Sequence, residues 1–175
     1  MKYNQAESTS NSTLEHHNHA TIRFATSADV SAMVALSDQE RRAYEHAQPK
    51  FWRRAENANE KQAKFFQWLL FRGIHLLLVA EANHKVIGFV IGQVIAAPHV
   101  YEPKGMTLKI DDFCVENPTL WNTIGQQLLD ELKIHARQDR VIQTLIVCGQ
   151  HDEPKKEFLQ SMNLSVVSEW YVGKV

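Results

Sequence analysis

The stretch Thr107–Leu132, TLKIDDFCVENPTLWNTIGQQLLDEL, decides the fold that this sequence predicts. Its first nine residues are mostly apolar or β-branched and predict a strand that ends at Val115. The following ENPTLWNTIG is typical of a turn, and QQLLDEL has the spacing of an amphipathic helix. Such a connection brings free backbone N–H groups and the positive end of a helix dipole to one point. That point suits a phosphate or pyrophosphate.

The composition is that of an ordinary globular protein. The chain has 175 residues, of which 44% are hydrophobic and 22% charged, so we expect one domain over residues 20–175. Nineteen Lys and Arg face 20 Asp and Glu, which favours neither nucleic acid nor a membrane as partner. No apolar run approaches the roughly 20 residues of a membrane span. The first ten residues lack the apolar core of a secretory signal.

Two cysteines, Cys114 and Cys148, lie in predicted strands. They are interpreted as buried free thiols, which predicts a reducing, cytoplasmic location; a disulfide between them is the alternative. Residues 1–19 are rich in Ser, Asn, His and Thr and predict a disordered tail. Its three histidines, at positions 16, 17 and 19, lack a rigid geometry, so we expect no metal site.

The remaining chain predicts a mixed α/β domain with the order β-α-α-β-β-β-α-β-α-β and a largely antiparallel first half. Strands are predicted at Thr21–Ala25, His75–Glu81, Val86–Ile95, Thr107–Val115, Val141–Cys148 and Leu164–Val172. Helices are predicted from Thr26 to about Glu45, from near Ala58 to Leu70, after Gly125, and from Asp152 to near Met162.

Local signals support several of these boundaries. Thr26 and Asp29 form a capping box, and Asp152 followed by Pro154 is a typical helix start. Two glycines in the third strand, at positions 88 and 92, predict a bulge or a close backbone approach. The apolar run Val141–Cys148 predicts a strand buried on both faces.

This order of elements resembles, from Thr21 to Val175, that of the GNAT superfamily of N-acetyltransferases. In that family a turn after the fourth strand carries Arg or Gln, two free positions, Gly, one free position, then Gly or Ala. Its amides hold the pyrophosphate of acetyl-CoA. The spacing from Val115 to Gly125 matches, but Leu120 stands at the Arg or Gln position and Thr123 at the middle glycine. The resemblance implies that acetyl-CoA contacts Phe113, Cys114, Val115, Thr123, Ile124, Gly125 and Gln126.

The strand Ile110–Val115 is also similar to the acidic strand of small-amine acetyltransferases, where an acidic pair faces the acceptor amine. An alkylammonium must lose a proton before it attacks a thioester, and a carboxylate can take that proton. Asp111 and Asp112 are adjacent on a strand, so their side chains should point to opposite faces. We expect Asp112 to face the acetyl group; an exposed aspartate or a helix-capping partner is the alternative.

The family also implies a Tyr in its last helix, which protonates the departing thiolate. Leu159 stands at that position and carries no proton, while Asn163 stands at a following glycine and suits a helix C-cap. The candidate substitutes are Ser161, Cys148, Tyr101 and Tyr171. The resemblance places the acceptor pocket near His46, Trp52 and Tyr101, although aromatic residues at such positions are often core residues.

These observations predict an acetyl-CoA-dependent N-acetyltransferase. Its acceptor is a small amine or a protein amine, and the amine attacks the thioester directly. The departures at Leu120, Thr123 and Leu159 leave a second hypothesis, a CoA-binding sensor or interaction module without turnover. A homodimer formed through the strand Leu164–Val172 is an expectation by analogy with the family.

Overall fold

The computed structural model describes residues 20–174, and the predicted N-terminal tail lies outside this range. Five strands form one sheet in the order β1-β2-β3-β4-β5. The first four pair antiparallel, and β4 pairs parallel with β5. The strands are β1 Thr21–Phe24, β2 Leu76–Ala82, β3 Lys85–Ile95, β4 Met106–Val115 and β5 Val141–Ile146. The predicted mixed α/β class is confirmed.

Helices cover both faces of the sheet. They are α1 Val30–Ala47, α2 Pro49–Trp52, α3 Ala58–Arg72, α4 Gln126–Ala136 and α5 Glu153–Ser161. One core joins α1 and α3 to the sheet, with Met33, Phe66 and Phe89 fully buried in it. The other core joins α4 and α5 to the opposite face. The interior therefore consists of two apolar layers separated by the sheet.

The helix boundaries follow the capping signals in the sequence. The backbone N–H of Thr26 donates to the Asp29 carboxylate over 2.7 Å, as a capping box requires. Asp152 caps α5 by accepting from the Lys155 backbone N–H at 3.4 Å. Asn163, just past α5, has φ of 60°, the left-handed conformation expected for a C-cap. These expectations are confirmed.

A β-bulge interrupts β4 at the acidic pair. Ile91 of β3 lies opposite Asp112, and Gly92 lies opposite Ile110, so Asp111 is an extra residue on β4. The bulge shifts the alternation of side chains by one position. Ile110 before it and Phe113 after it therefore pack into the same core. A separate bulge lies in β3 itself, where Ala80 pairs with Gly88 and Glu81 with Val86, so that Ile87 is an extra residue. This second bulge confirms the one predicted from the glycines of β3.

Beyond Ile110 the strands β4 and β5 separate. Their pairing ends at Ile110 and Ile146, and one further bond joins the Val147 N–H to the Ile110 carbonyl over 3.0 Å. Residues 111–115 of β4 continue without a β5 partner. We call the space between the two strands beyond Ile110 the strand gap.

Two strand predictions are wrong. Leu164–Val172 forms no strand, although its side chains suit one. Tertiary contacts place it elsewhere: Trp170 contacts Phe51 of α2 with ring centroids 6.4 Å apart. β5 is not buried on both faces, because a register shift at its start leaves Ile142 unpaired and 54% exposed. Among the described strands, β5 is an edge.

The fold gives Gly125 a packing role that can be tested. A Cβ at this position would lie 2.7 Å from Cε3 of Trp121, whose ring stacks on Phe158. Gly125→Ala should destabilise the protein by about 1 kcal/mol, because overpacking costs about 1–3 kcal/mol and helix propensity returns about 1. Urea denaturation measures the change.

Two variants control this prediction. Gly173→Ala should be neutral, because no atom lies within 4 Å of a Cβ there. In a Trp121→Leu background, which removes the ring, only the helix propensity remains, so Gly125→Ala should stabilise the protein by up to about 1 kcal/mol. An equal loss in both backgrounds would contradict the packing explanation.

Candidate functional site

A cleft of about 350 Å³ opens between α1, the α2 region and the bulged part of β4. Acidic residues of α1 and β4 form one part of its lining, and aromatic, arginine and small or uncharged residues form the rest. Its lining includes Ser37, Glu40, Arg41, Tyr44, Phe51, Trp52, Arg53, Arg54, Asp111, Asp112 and Val147. Val147 lies where β4 and β5 part, so the cleft reaches the mouth of the strand gap.

Both aspartates of the acidic pair line this cleft. The expectation that they point to opposite faces is wrong, because the bulge interrupts the strand geometry at Asp111. Their surroundings differ. The Asp111 side chain is 56% exposed and pairs with Lys109 at 2.9 Å. The Asp112 carboxylate makes no hydrogen bond or ion pair with any residue in the described range 20–174.

The surroundings of Asp112 change its acidity. Burial, with help from the neighbouring Glu40 and Asp111 charges, raises the pKa of Asp112 to about 6, and Lys155 and Arg41 oppose this. A carboxylate with this pKa is ionised at neutral pH and still accepts a proton readily. Asp112 therefore has the properties of a general base or of a partner for a cation.

A buried ion pair spans the strand gap. Lys155 of α5 is 1% exposed, and its Nζ donates to Glu40 Oε1 of α1 at 3.0 Å and to the Phe113 carbonyl of β4 at 2.9 Å. Nζ also lies 5.5 Å from the ring centroid of Trp121. Burial disfavours the charged amine, but Glu40 together with Cys114 and Cys148 outweighs it, so the pKa of Lys155 is raised. The ammonium is therefore retained at neutral pH.

Two further groups tie the same region together. The Tyr44 hydroxyl accepts from the Gly149 N–H at 3.0 Å and donates to Glu40 Oε1 at 3.2 Å. The Cys114 thiol donates to Glu40 Oε2 at 3.3 Å, and burial raises its pKa. Glu40 is thus shared by α1, β4 and α5. Sequence reasoning missed Glu40, Tyr44 and Lys155.

A signal for these residues was present in the sequence. Lys155 precedes Phe158, Leu159 and Met162 by three, four and seven positions, which places a charge on an apolar helical stripe. Glu40 holds the equivalent place after Met33 and Leu36. A charged residue on a buried stripe predicts a buried partner of opposite charge.

The start of the helical segment differs from the predicted phosphate turn. Asn117 accepts from the Thr119 N–H at 3.0 Å, and a π-helical turn at Trp121–Gly125 leads directly into α4. The Gln126 N–H bonds to carbonyls of this turn, and the Thr123 hydroxyl donates to the Leu120 carbonyl at 3.3 Å. Ile124–Gln126, where the sequence predicts a turn with free amides, therefore lie within helical structure. Their contact with acetyl-CoA stays a prediction.

The remaining predicted site residues divide into two groups. Trp52 lines the cleft, next to Phe51. His46 and Tyr101 do not line it. His46 is exposed because the cleft face of α1 carries Glu40 and Tyr44, and a residue two positions beyond Tyr44 points elsewhere. Tyr101 is 70% exposed in the loop before β4.

The cofactor-binding residues predicted on β4 lie beside the strand gap. Phe113 and Cys114 are buried, and Val115 is partly buried at the end of the strand. Of the substitutes for the missing Tyr, Ser161 donates to the Phe158 carbonyl at 2.7 Å, and Tyr171 is 87% exposed. Cys148 is a free, partly buried thiol whose pKa burial raises to about 11.

The described residues offer neither a metal site nor a membrane-spanning helix. Residues 20–174 contain no group of three His, Cys, Asp or Glu side chains placed to hold a metal ion. Within the same range, every helix is too short or too polar to cross a membrane.

Comparison with known proteins identifies the fold. No protein-family model and no curated protein sequence matches the chain. A predicted acetyltransferase from Clostridium acetobutylicum, solved with acetyl-CoA, superposes with a TM-score of 0.67 at 18% identity. The match covers 89% of this chain and 96% of that one.

Two further solved structures agree. An aminoglycoside N-acetyltransferase in complex with CoA matches with a TM-score of 0.66 at 9% identity, over 90% of this chain and 95% of that one. A ribosomal-protein-alanine N-acetyltransferase from Brucella melitensis matches with a TM-score of 0.62 at 15% identity, over 90% of this chain and all of that one. The chain therefore has the fold of the GNAT-type acetyltransferases, as its order of elements predicts.

Proposed function

We propose that this protein is an acetyl-CoA-dependent N-acetyltransferase that acts on a small amine or a protein amine by direct acyl transfer. One observation carries the proposal. In a fold whose solved members include proteins with acetyl-CoA or CoA bound, an unpartnered carboxylate, Asp112, faces a cleft at the mouth of the strand gap. Such a carboxylate is the group that an amine acceptor requires.

The cleft suits an ammonium group. Glu40, Asp111 and Asp112 supply negative charge, and Tyr44 and Trp52 supply aromatic surfaces that attract a cation. An alkylammonium must become a neutral amine before it attacks a thioester. Asp112 is proposed to accept that proton, directly or through one water molecule. Asp111 is proposed to add negative charge near the entrance.

Three arginines line the same cleft, and two of them are paired with other side chains. Arg54 is engaged with Glu45 and Asp38, and Arg41 with Gln62 and Asn59. They therefore contribute less free positive charge than their number indicates. Glu40 and Asp111 are paired as well, with Lys155 and Lys109, so Asp112 is the carboxylate of the lining that is left for an acceptor amine.

The strand gap fits the acyl end of acetyl-CoA, the cosubstrate that supplies an acetyl thioester. The unpaired end of β4, Phe113–Val115, offers backbone groups beside the cleft. Lys155 presents a buried ammonium there, and a carbonyl oxygen or a sulfur needs such a donor when it gains negative charge. The backbone N–H near Cys114 or Val115 is proposed to bind the thioester carbonyl.

The region predicted to bind the phosphates of the cosubstrate differs from the turn that the family uses. The amides proposed for it from the sequence are within helical structure, and Leu120 is buried. Side chains at the surface must therefore supply much of the binding to phosphate. We expect weaker CoA binding than in a protein with a free amide turn. In such a protein the backbone N–H groups at the helix start and the helix dipole both attract the phosphate.

A CoA-binding sensor or interaction module without turnover is the second candidate. Leu159 favours it, because this side chain stands where the family has an acid and packs in the core, 9% exposed. The two candidates differ only in turnover, so an assay of acetyl transfer separates them.

Two other properties belong to the same proposal. Cys114 and Cys148 are free, which supports a reducing, cytoplasmic location. The homodimer stays a prediction. The strand from which it was argued is not formed, so a dimer would need another surface or a rearranged C-terminal segment.

The raised pKa of Asp112 predicts a change in stability with pH. Between the unfolded value of 3.8 and the folded value of about 6, the folded state binds more protons, so wild-type stability falls as pH rises. Asp112→Asn removes this effect. The variant should gain about 1–2 kcal/mol relative to wild type between pH 4.5 and 7.5, after allowance for solvent in the cleft. Urea denaturation at both pH values measures it.

Asp29→Asn is the matched control. Its bond to Arg23 lowers the pKa of Asp29 to about 2, so its stabilisation is lost only below about pH 4. Asp29→Asn should therefore lower the free energy of unfolding by the same amount at pH 4.5 and 7.5. If the difference in unfolding free energy between Asp112→Asn and wild type did not change with pH, the pKa of Asp112 would not be raised and the prediction would fail.

The acetylation assay tests the function itself. Purified protein is incubated with acetyl-CoA and polyamines, aminoglycosides or peptides, and release of free thiol is followed. With an accepted amine, kcat/KM should rise with pH through about 6, the pKa of Asp112. Asp112→Asn should lower kcat/KM by about 10²- to 10⁴-fold and abolish that rise.

Asp130→Asn, on the exposed face of α4, is the control and should keep wild-type activity. A larger loss for Asp111→Asn than for Asp112→Asn would move the base to Asp111. Folded protein that transfers no acetyl group to any acceptor, but binds CoA, would favour the sensor.

A further inference from the structure

We propose that the acceptor is a primary amine with a single positive charge, joined through a short chain to an aromatic ring. The proposal rests on the acetyltransferase function proposed above and names the class of its acceptor. Asp112 binds the ammonium group, and Phe51 and Trp52 bind the ring. Polyamines and aminoglycosides, which carry several ammonium groups, are then poor acceptors.

The carboxylates of the cleft supply the first argument. Glu40 is bonded to the Lys155 ammonium at 3.0 Å. Asp111 is bonded to the Lys109 ammonium at 2.9 Å. The lining has three carboxylates, all within the described range 20–174, and the one that remains without an ion pair is Asp112. One free carboxylate favours an acceptor with one ammonium group.

The arginines of the cleft supply the second argument. Arg41, Arg53 and Arg54 belong to its lining. The exposed Arg53 guanidinium makes no hydrogen bond or ion pair with any residue from 20 to 174. Arg41 is close enough to Asp112 to oppose the rise in the pKa of that carboxyl. Because these arginines repel a second ammonium group in the same cleft, they disfavour a polycationic acceptor.

Aromatic side chains supply the third argument. Phe51 and Trp52 of α2 line the cleft and are 50% and 39% exposed, so a ligand has access to both rings. Their ring centroids are 4.7 Å apart at an interplanar angle of 89°, and the Tyr44 ring lies 5.4 Å from that of Trp52. We call these three rings the aromatic wall. Exposed aromatic surface in a cleft favours a ligand that covers it with a ring of its own.

The size of the cleft agrees with such an acceptor. Its volume of about 350 Å³ is near the lower end of the range of about 300–1,000 Å³ that small-molecule pockets have. Asp112 and the aromatic wall line this one cleft, so a single small ligand contacts both. A ring on a short chain is of this size, whereas an aminoglycoside of several rings extends beyond it.

A purely structural role for the aromatic wall makes a different prediction. Trp52 packs against Phe51 and against Tyr44 of α1, and so helps to hold α2 in place. Under the structural explanation, Trp52→Leu lowers the free energy of unfolding and changes kcat/KM for all amines by the same factor. Under the proposal, the variant loses the preference for amines that carry an aromatic ring.

Acetyl transfer to matched amines is the measurement. The full chain is incubated with acetyl-CoA and one amine at a time, and release of free thiol gives kcat/KM. 2-Phenylethylamine should exceed 2-cyclohexylethylamine, a ring of similar size without aromatic character, by about 2- to 10-fold. Hexylamine should exceed 1,6-diaminohexane by about 10-fold, because the arginines repel the second ammonium group and the aromatic wall favours an apolar end.

Variants assign each preference to its residue. Trp52→Leu should reduce the ratio of kcat/KM between the phenyl and cyclohexyl amines to about one. Arg53→Gln should narrow the difference between hexylamine and 1,6-diaminohexane. Trp68→Leu is the matched control, because Trp68 of α3 is 49% exposed and lies outside the cleft lining, so both ratios should keep their wild-type values. Far-UV circular dichroism and urea denaturation establish that each variant is folded.

The outcomes are separable. Wild-type protein that acetylates 1,6-diaminohexane, an aminoglycoside or a peptide more efficiently than 2-phenylethylamine overturns the acceptor class and leaves the proposed function intact. Equal kcat/KM for the phenyl and cyclohexyl amines overturns the role of the aromatic wall. Both comparisons use the wild type, so a Trp52→Leu protein that fails to fold does not prevent a decision. Folded protein that acetylates none of these amines overturns the proposed function and this inference together.

Discussion

The ion pair between Lys155 and Glu40 connects the two halves of this protein. Glu40 belongs to α1 on one side of the sheet, and Lys155 belongs to α5 on the other. They meet only because β4 and β5 separate beyond Ile110 and leave a passage through the sheet. An ammonium placed there without a carboxylate would be an unpaired buried charge, which costs several kcal/mol. Each partner thus makes the burial of the other possible.

Several features of the site depend on this pair. Glu40 also receives hydrogen bonds from Tyr44 and Cys114, so one carboxylate orients groups from α1 and β4. Its charge contributes to the raised pKa of Asp112 and keeps Lys155 cationic. A carboxylate that accepts protons, Asp112, and an ammonium that stays charged, Lys155, therefore lie close together. Glu40 raises the pKa of both groups. The proposed acetyl transfer depends on the first of these groups, the base.

The bulge at Asp111 is the second constraint. It reverses the side-chain alternation of β4 at the point where the strand leaves β5. Phe113 is thereby directed into the core beneath Trp121, while both aspartates reach the cleft. A regular strand would separate the acidic pair onto opposite faces. The glycines of β3 indicate a bulge in their own strand, whereas only the pairing register reveals the extra residue of β4.

Where sequence reasoning was wrong, non-local packing decided the outcome. Gly125 matched the spacing of a phosphate turn, yet its missing side chain accommodates the ring of Trp121. The amides around it are engaged in a π-helical turn. Leu164–Val172 has the side chains of a strand but finds no strand partner among residues 20–174. The side-chain pattern of a segment indicates which secondary structure it is able to form. Whether it forms depends on packing and pairing partners that lie far away in the sequence.

The sequence by itself determined the order of most elements, the capping of the first and last helices, the irregularity of β3 at its glycines and the GNAT-type fold. These features depend on short-range periodicity and on residues within a few positions of each other, so one sequence is sufficient to predict them. The tertiary structure alone decided that Lys155, Glu40 and Phe113 meet, that Asp112 faces the cleft without a partner, and that His46 and Tyr101 lie outside it. Contacts between residues more than 40 positions apart depend on how helices dock on the sheet, and no local pattern encodes that docking.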